Sequence, residues 1–158
     1  MTTERPTCYN KALDFLARRS HFRLELAHKL ARREYSAEEI DTALEKLAAN
    51  RFLDDLRTAE EWVRHRRGKA LGRRRLWAEL KERGLSAEDA DTVLDEVLGT
   101  SDGDDELELV RQVAERWQRS RNADLTDPKR RASLARHLER RGFASHVIFS
   151  VLDAMTGH

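Results

Sequence analysis

The side chains of this sequence that could do catalytic or metal chemistry are its histidines, its single cysteine and two adjacent aspartates. Six histidines could ligate a metal, but none forms a two-histidine spacing with a carboxylate on one helical face. Asp54 and Asp55 resemble a paired carboxylate, yet both precede an amphipathic stretch, where aspartate commonly caps a helix. Cys8 lacks partners for a disulfide or zinc site, and no glycine-rich phosphate loop is present. We therefore predict no enzyme, no metal and no cofactor.

Basic side chains are the stronger candidates, and the chemistry they offer is the binding of phosphate or of acidic side chains. The net charge is only +1, but residues 57–83 carry 10 basic and 4 acidic side chains, and residues 116–141 carry 9 and 3. Residues 84–115, between them, carry 1 basic and 11 acidic side chains. Such blocks create local fields that the net charge hides. In the alternative interpretation, the blocks neutralise each other within the fold.

A helical wheel for residues 73–84 separates basic from apolar side chains. Leu76, Trp77 and Leu80 define a buried face, and Arg74 and Lys81 share a flank with no acid between them. For any one basic residue, the alternative is a solvated surface of an arginine-rich protein. The predicted binding residues are Arg64, Arg67, Lys69, Arg73, Arg74, Lys81, Lys129, Arg136, Arg140 and Arg141.

Some arginines are expected to have structural roles. Arg75 falls near Glu79 and Glu82 on the wheel, which indicates an ion pair within the helix. Three similar segments of the sequence each have an arginine at the start of a helix, in line with its apolar face. This recurrence suggests a repeated structural role. These arginines are Arg23, Arg73 and Arg131.

The elements that must position these residues are helices, in a unit that occurs three times. Two helices of the unit can be read at residues 22–47, 72–97 and 130–155, offset by 50 and then 58 residues. Self-similarity at such a period is typical of an array of supersecondary units. Arrays present long surfaces more often than they enclose a catalytic pocket. The matching apolar positions are Leu26, Leu76 and Leu134; Leu30, Leu80 and Leu138; Tyr35, Leu85 and Phe143; and Leu44, Leu94 and Leu152.

Signals for the start of the last helix weaken along the three units. Ser36 and Glu39 have the capping-box spacing, in which each side chain bonds the other residue's backbone N–H. Ser86 with Asp89 is a weaker version of this box, and the box is lost at Ala144.

The end of the preceding helix also has a recurring signal. Gly84 and Gly142 stand just past it, where a left-handed cap favours glycine. Glu34 stands there in the first unit, so we expect its turn to differ. Pro128 suits the first turn of the helix that follows a polar loop at residues 120–128.

A further helix precedes each pair, at residues 10–19, from Asp54 or Asp55 to about Arg67, and from residue 106 to about 119. The predicted fold is therefore all-α, an elongated array of three tandem three-helix units. We predict a flexible leader at residues 1–9, unit 1 at 10–51, unit 2 at 52–98, an acidic linker at 99–105 and unit 3 at 106–158. Residues 99–103 are expected to form a hinge.

Composition indicates where in the cell this protein would be found and whether it could cross a membrane. Hydrophobic residues make up 39% and charged residues 37%, with 2 Pro and 7 Gly, as suits helices with thin cores. The mean hydropathy is −0.77. No apolar run approaches the roughly 20 residues that span a bilayer, and no signal peptide is evident. With one cysteine, we expect a cytoplasmic protein without membrane contact. We also expect a monomer.

Several stretches together resemble one known family. They are residues 12–20, 25–30, 52–59, 72–85 and 138–143, followed by Ile148 and Leu152. Each motif is weak alone, but their order and spacing on three helical units are specific. The sequence resembles the RecX family, bacterial regulators of the recombinase RecA. It departs from that family at Thr58, where an aromatic residue is common, and in the missing cap of the third unit.

The resemblance implies a curved array that lies along the groove of the RecA–DNA filament. It also implies limits on filament growth, strand exchange, ATP hydrolysis and coprotease activity, without catalytic residues. Capping, blocking and disassembly of filaments are all compatible with it. The basic blocks add an expected weak direct contact with DNA, while the acidic block would face a basic protein surface or solvent.

The alternative is a helical DNA-binding protein with helix-turn-helix-like units that acts independently of RecA. Consecutive helices with arginine on the second are compatible with such docking. However, residues 73–75 supply charge without the Asn or Gln that reads adenine.

Overall fold

The computed structural model describes residues 4–99 and 104–157, and every regular element within them is a helix. The helices pack in consecutive groups, α1 with α2 and α3, α4 with α5 and α6, and α7 with α8 and α9. This arrangement confirms the predicted all-α fold of three tandem three-helix units. The helices are α1 (Cys8–Arg18), α2 (Arg23–Arg32), α3 (Ala37–Ala49), α4 (Asp55–Arg67), α5 (Arg73–Glu82), α6 (Ala87–Leu98), α7 (Asp104–Arg121), α8 (Pro128–Arg140) and α9 (Ser145–Thr156).

The predicted leader extends two residues too far. Helix α1 begins at Cys8, and Thr7 caps it by accepting a hydrogen bond from the Asn10 N–H. Cys8 is buried in the core of unit 1, and this burial raises the pKa of its thiol. Residues 1–3, and the predicted hinge apart from Gly99, lie outside the described residues.

Each unit has its own small apolar core, built from the matching positions of the repeat. The leucines that recur on α2, α5 and α8 are fully buried, and their partners on α3, α6 and α9 face them. A spacing of four residues puts both leucines of each helix on one face. The aligned positions therefore correspond to three separate cores.

Helix capping follows the sequence signals. The Ser36 hydroxyl accepts from the Glu39 N–H at 3.1 Å, and the Ser36 N–H donates to the Glu39 carboxylate at 3.1 Å. Ser86 accepts from the Asp89 N–H at 3.0 Å. Ala144 provides no side-chain cap. The predicted weakening of the cap along the units is confirmed.

The expectation of a different turn at Glu34 is wrong. Its φ of 66° lies in the same left-handed region as Gly84 at 100° and Gly142 at 88°. In each unit, the N–H of the following apolar residue donates to the carbonyl of the helix's second leucine; for Tyr35 and Leu30 this distance is 3.4 Å. Burial of that apolar residue fixes the turn whichever residue precedes it. In unit 1, Glu34 therefore adopts a left-handed conformation that is less favourable for glutamate than for glycine.

The start of α2 joins unit 1 to unit 2. Phe22 has 2% of its surface exposed and packs in the core of unit 2, although it precedes α2 of unit 1. The Arg23 N–H donates to the Asp55 carboxylate at 2.7 Å, and Thr58 is buried against the His21 carbonyl, to which its hydroxyl donates at 3.5 Å. Unit 1 therefore completes the core of the unit that follows it.

His21 is a buried, uncharged residue of this junction. Its Nδ1 lies 2.9 Å from the Arg19 carbonyl and its Nε2 lies 2.8 Å from the Lys29 ammonium. An Nε2 that accepts from Lys29 leaves Nδ1 to donate, which requires the neutral ring. Burial lowers the pKa of His21, and Arg19 and Lys29 also lower it, against opposing effects of the Arg19 carbonyl and Glu25.

We expect single truncations of the buried leucines to weaken the fold strongly. Leu30→Ala, Leu80→Ala and Leu138→Ala should each lower the free energy of unfolding by roughly 2–5 kcal/mol, because each opens a cavity in a thin core. Urea denaturation followed by circular dichroism measures this loss. Losses well under about 1 kcal/mol at all three positions would contradict the alignment of the units.

We also expect stability to fall in acid through His21. Its folded-state pKa is lowered, so its contribution is fully present above the unfolded value of about 6.5 and is lost as pH falls below it. His21→Gln should make the free energy of unfolding less dependent on pH between about 7.5 and 5.5. The exposed His28→Gln serves as the control. Equal pH dependence in both variants would show that His21 is not the titrating group.

Candidate functional site

The predicted basic residues fall into two groups. The side chains of one group have no ion pair or hydrogen bond in the described structure, and those of the other group contact residues of the protein. Within residues 4–99 and 104–157, the side chains of one subset are exposed and form neither an ion pair nor a hydrogen bond. The Lys81 ammonium in this subset lies 5.8 Å from the centre of the Trp77 ring, a contact that leaves its charge available. The subset consists of Lys69, Arg74, Lys81, Lys129, Arg136 and Arg140.

The other predicted residues already have partners. Arg64 lies 3.7 Å from Glu60, one turn before it on α4, and Arg67 donates to the Val97 carbonyl at 3.5 Å. These contacts are exposed and weak. Both side chains can exchange them for an external partner.

Arg73 has the structural role that its recurrence suggested. It donates to Asp95 on α6 at 2.7 Å and thereby ties the start of α5 to the next helix. Arg131 forms the equivalent pair with Asp153 in unit 3. Arg23 forms no such pair among the described residues. The repeated role is therefore confirmed for two of the three units.

Free cations form a stripe on each of two helices. Arg74 and Lys81 are seven residues apart on α5, and Lys129, Arg136 and Arg140 follow at spacings of seven and four on α8. Such spacings keep side chains on one face of a helix. We call these sets the α5 stripe and the α8 stripe.

Both stripes end at the junction between units 2 and 3. The Gly72 N–H donates to the Arg141 carbonyl at 2.7 Å, and the Arg74 N–H donates to the Gly142 carbonyl at 3.2 Å. The start of α5 therefore lies against the end of α8. Arg141 strengthens the contact by donating to the carbonyls of Lys69 at 3.1 Å and Ala70 at 3.3 Å. This engages Arg141 and places Lys69 beside the junction.

A part-buried ion network supports the same junction. Glu79 accepts from Arg66 at 2.8 and 3.0 Å and from Arg75 at 3.3 Å, so the predicted Arg75–Glu79 pair is confirmed. Arg75 also donates to the Arg140 carbonyl at 3.1 Å. Sequence reasoning missed Arg66. Its position four residues after Trp62 was the available signal, since this is the spacing of a helix's buried face.

The junction has a positive electrostatic environment. Burial lowers the pKa of His137 on α8, and Arg141, Arg140 and Arg121 lower it further. The histidine remains neutral because a further positive charge is disfavoured there. The charges of the three arginines, unlike burial, favour an anion at the exposed side of the junction.

Groupings expected of other kinds of site do not occur in the described part of the chain. No set of three or more His, Cys, Asp or Glu side chains there could hold a metal ion. Every helix there is too short or too polar to cross a lipid bilayer.

Fold and surface together define a helical-repeat protein with stripes of unpaired cations suited to an anionic partner. Family models for the first, second and third three-helix domains of RecX match residues 8–47, 54–94 and 104–152. The chain belongs to the RecX family.

Relatives and solved structures agree with this assignment. Regulatory protein RecX of Pseudomonas putida is 36% identical over 143 residues, which cover 90% of this chain and 86% of the relative. Regulatory protein RecX of Pseudomonas entomophila is also 36% identical, over 90% of this chain and 87% of the relative. The crystal structure of RecX from Lactobacillus salivarius has a TM-score of 0.77 at 21% identity and covers 96% of each chain. At that identity the likeness concerns the fold.

Close backbone contact at the junction leads to a specific expectation. A Cβ on Gly72 would lie 2.3 Å from the Gly142 carbonyl oxygen, so Gly72→Ala must push units 2 and 3 apart. We expect lower stability and faster amide exchange on both sides of the junction. Gly68→Ala is the matched control, because its Cβ would meet nothing closer than 3.8 Å. If Gly72→Ala behaved like Gly68→Ala, the two units would not be docked as described.

Proposed function

We propose that this protein regulates the recombinase RecA by binding along the RecA–DNA filament, mainly as an inhibitor without catalysis of its own. Its membership of a family of regulatory proteins supports the proposal. The observation that carries it is the pair of stripes on α5 and α8, which end at one junction. Stripes on successive units offer a surface for a long partner rather than a pocket for a small one.

The proposed binding surface consists of the α5 stripe, the α8 stripe and Lys69. Unpaired surface cations gain little from contacts inside the protein, but they release counterions when they meet nucleic-acid phosphates. They can also bind carboxylates of the recombinase. Arg64 and Arg67, which have only weak internal contacts, extend the surface along α4. We propose that the DNA contact is weak and that RecA provides most of the affinity.

The acidic side of unit 2 complements this surface. Glu96 shares a hydrogen bond with Glu60, which raises the pKa of Glu96, and the charge of Glu60 raises it further. Arg64, the ion-pair partner of Glu60, lowers the pKa of Glu96 only in part, so a cationic partner would relieve the remaining repulsion. We propose that this face meets a basic surface of the recombinase. We also propose that the protein acts as a monomer in the cytoplasm.

The central test replaces the free cations without touching a core. Arg74→Glu, Lys81→Glu and Arg136→Glu, combined, should raise the concentration needed to inhibit DNA-dependent ATP hydrolysis by RecA at least tenfold, on the order of 1.4 kcal/mol of binding. The remaining binding should depend less on salt, because each phosphate contact on a single strand contributes a slope of about −0.7. Protein added without RecA should hydrolyse no ATP.

A matched control makes the same charge change elsewhere. Arg18→Glu, Arg116→Glu and Arg119→Glu, combined, alter exposed arginines on α1 and α7 that form no ion pair in the described structure. Circular dichroism should confirm that both triple variants are folded. The proposed surface would be wrong if both inhibited RecA as the parent does, or if only the control lost inhibition. Retained DNA binding with no effect on RecA in the parent would favour the DNA-binding alternative.

A further inference from the structure

A second group of arginines lines a cleft between units 1 and 2. The cleft has a volume of about 590 Å³, and Arg23, Arg51 and Arg57 lie around it together with Asp54 and Asp55. The arginines come from the start of α2, the turn after α3 and the first turn of α4. Because Arg23 is far in sequence from Arg51 and Arg57, only the folded protein brings the three arginines together.

The two aspartates of the cleft are engaged with backbone groups. Asp54 caps α4 by accepting from the N–H groups of Leu56 at 3.1 Å and Arg57 at 3.3 Å. Asp55 accepts from the Arg23 N–H at 2.7 Å. Neither forms an ion pair with an arginine of the cleft in the described structure. The guanidinium groups therefore lack carboxylate partners, and Arg57 makes only a long hydrogen bond of 3.4 Å to the Arg51 carbonyl.

Comparison of the repeats shows that Arg23 is unusual. At the matching position of units 2 and 3, the arginine pairs with an aspartate of the unit's last helix. In unit 1 the corresponding acid is Glu45, which is exposed and forms no ion pair with Arg23 among the described residues. The matching pairs are Arg73 with Asp95 and Arg131 with Asp153.

An exposed aromatic residue follows one of these arginines in the chain. Phe52 stands between the cleft residues Arg51 and Leu53, and 53% of its surface is exposed. Leu56 on the following turn is 41% exposed. Arg51 itself has a φ of 61°, a left-handed conformation that favours glycine. An arginine therefore occupies a backbone position that favours glycine.

We propose that this cleft binds single-stranded nucleic acid, with phosphates on Arg23, Arg51 and Arg57 and a base stacked on Phe52. Arginine recognises phosphate through its planar set of donors, and an exposed ring stacks on any base. A single strand can supply both groups at once, since its bases are unpaired. In a duplex the bases are stacked on each other and are not available to Phe52. An acidic peptide has carboxylates but no aromatic bases. The proposal goes beyond the RecA interaction and needs no RecA.

The test measures fluorescence anisotropy of a labelled oligothymidylate of about 16 nucleotides with the full chain, between about 50 and 200 mM salt. Arg23→Gln, Arg51→Gly and Arg57→Gln, combined, should lower affinity at least tenfold and reduce the salt slope by about 2, the sum for three phosphate contacts. Phe52→Ala should lower affinity on the order of tenfold and leave the salt slope unchanged, because stacking releases no counterions.

Controls separate this result from misfolding and from general charge loss. Arg51→Gly should leave the protein folded, since glycine adopts the left-handed turn without steric cost. Arg116→Gln, an exposed change on α7, should not alter binding. A duplex of the same sequence should bind without any dependence on Phe52, and excess polyglutamate should not displace the strand.

Other outcomes would overturn the proposal. Unchanged affinity in the triple-arginine variant would remove the cleft as a site. A charge effect without a Phe52 effect, or equal Phe52 dependence for duplex and single strand, would exclude base stacking. Displacement by polyglutamate at equal charge would identify an acidic peptide site. Since RecA is absent, none of these results depends on whether the protein inhibits RecA through the α5 and α8 stripes.

Discussion

The arrangement of this protein depends on one contact, in which the start of a unit's second helix lies against the turn that ends the second helix of the next unit. Between units 2 and 3, this contact is so close that Gly72 and Gly142 leave no room for a Cβ. Between units 1 and 2, Phe22 and Leu24 approach Gly84 and its surroundings in the matching place. Each unit has its own small core, so these junctions alone fix the position of one basic helix relative to the next.

The positions that match this contact are occupied differently on the outer sides of units 1 and 3. In unit 1, the turn that would receive a preceding unit is covered by Arg5, which donates to the Arg33 carbonyl and lies 3.9 Å from the Tyr35 ring. In unit 3, α8 begins at Pro128, three residues before the position that matches the starts of α2 and α5, and Asp127 caps it. The segment that matches the start of α2 and α5 is therefore already helical in unit 3.

Sequence could predict whatever depends on neighbours within about a turn of helix. The buried leucines, the Ser36 box and the Arg75–Glu79 pair all follow from a period of 3.6 residues. The left-handed Glu34 was missed because burial of Tyr35 overrides a local preference. Arg141 was read as free because its carbonyl partners, Lys69 and Ala70, are some 70 residues away in sequence. The arginine cleft was missed for the same reason, since residues 1–56 are locally balanced in charge.

Arginines both form contacts between helices of this fold and provide its free charge, so composition alone could not separate structural from binding residues. At the recurring position of Arg23, Arg73 and Arg131, what separates them is an ion pair with an aspartate of the next helix. Asp95 pairs with Arg73 at the start of α5 and Asp153 pairs with Arg131 on α8, whereas Arg23 has no such partner among the described residues. A paired guanidinium would have to break a contact before it met a phosphate, and an unpaired one would not. Loss of one ion pair in one copy of a repeat can therefore convert a structural position into a binding position without altering the helices that carry it.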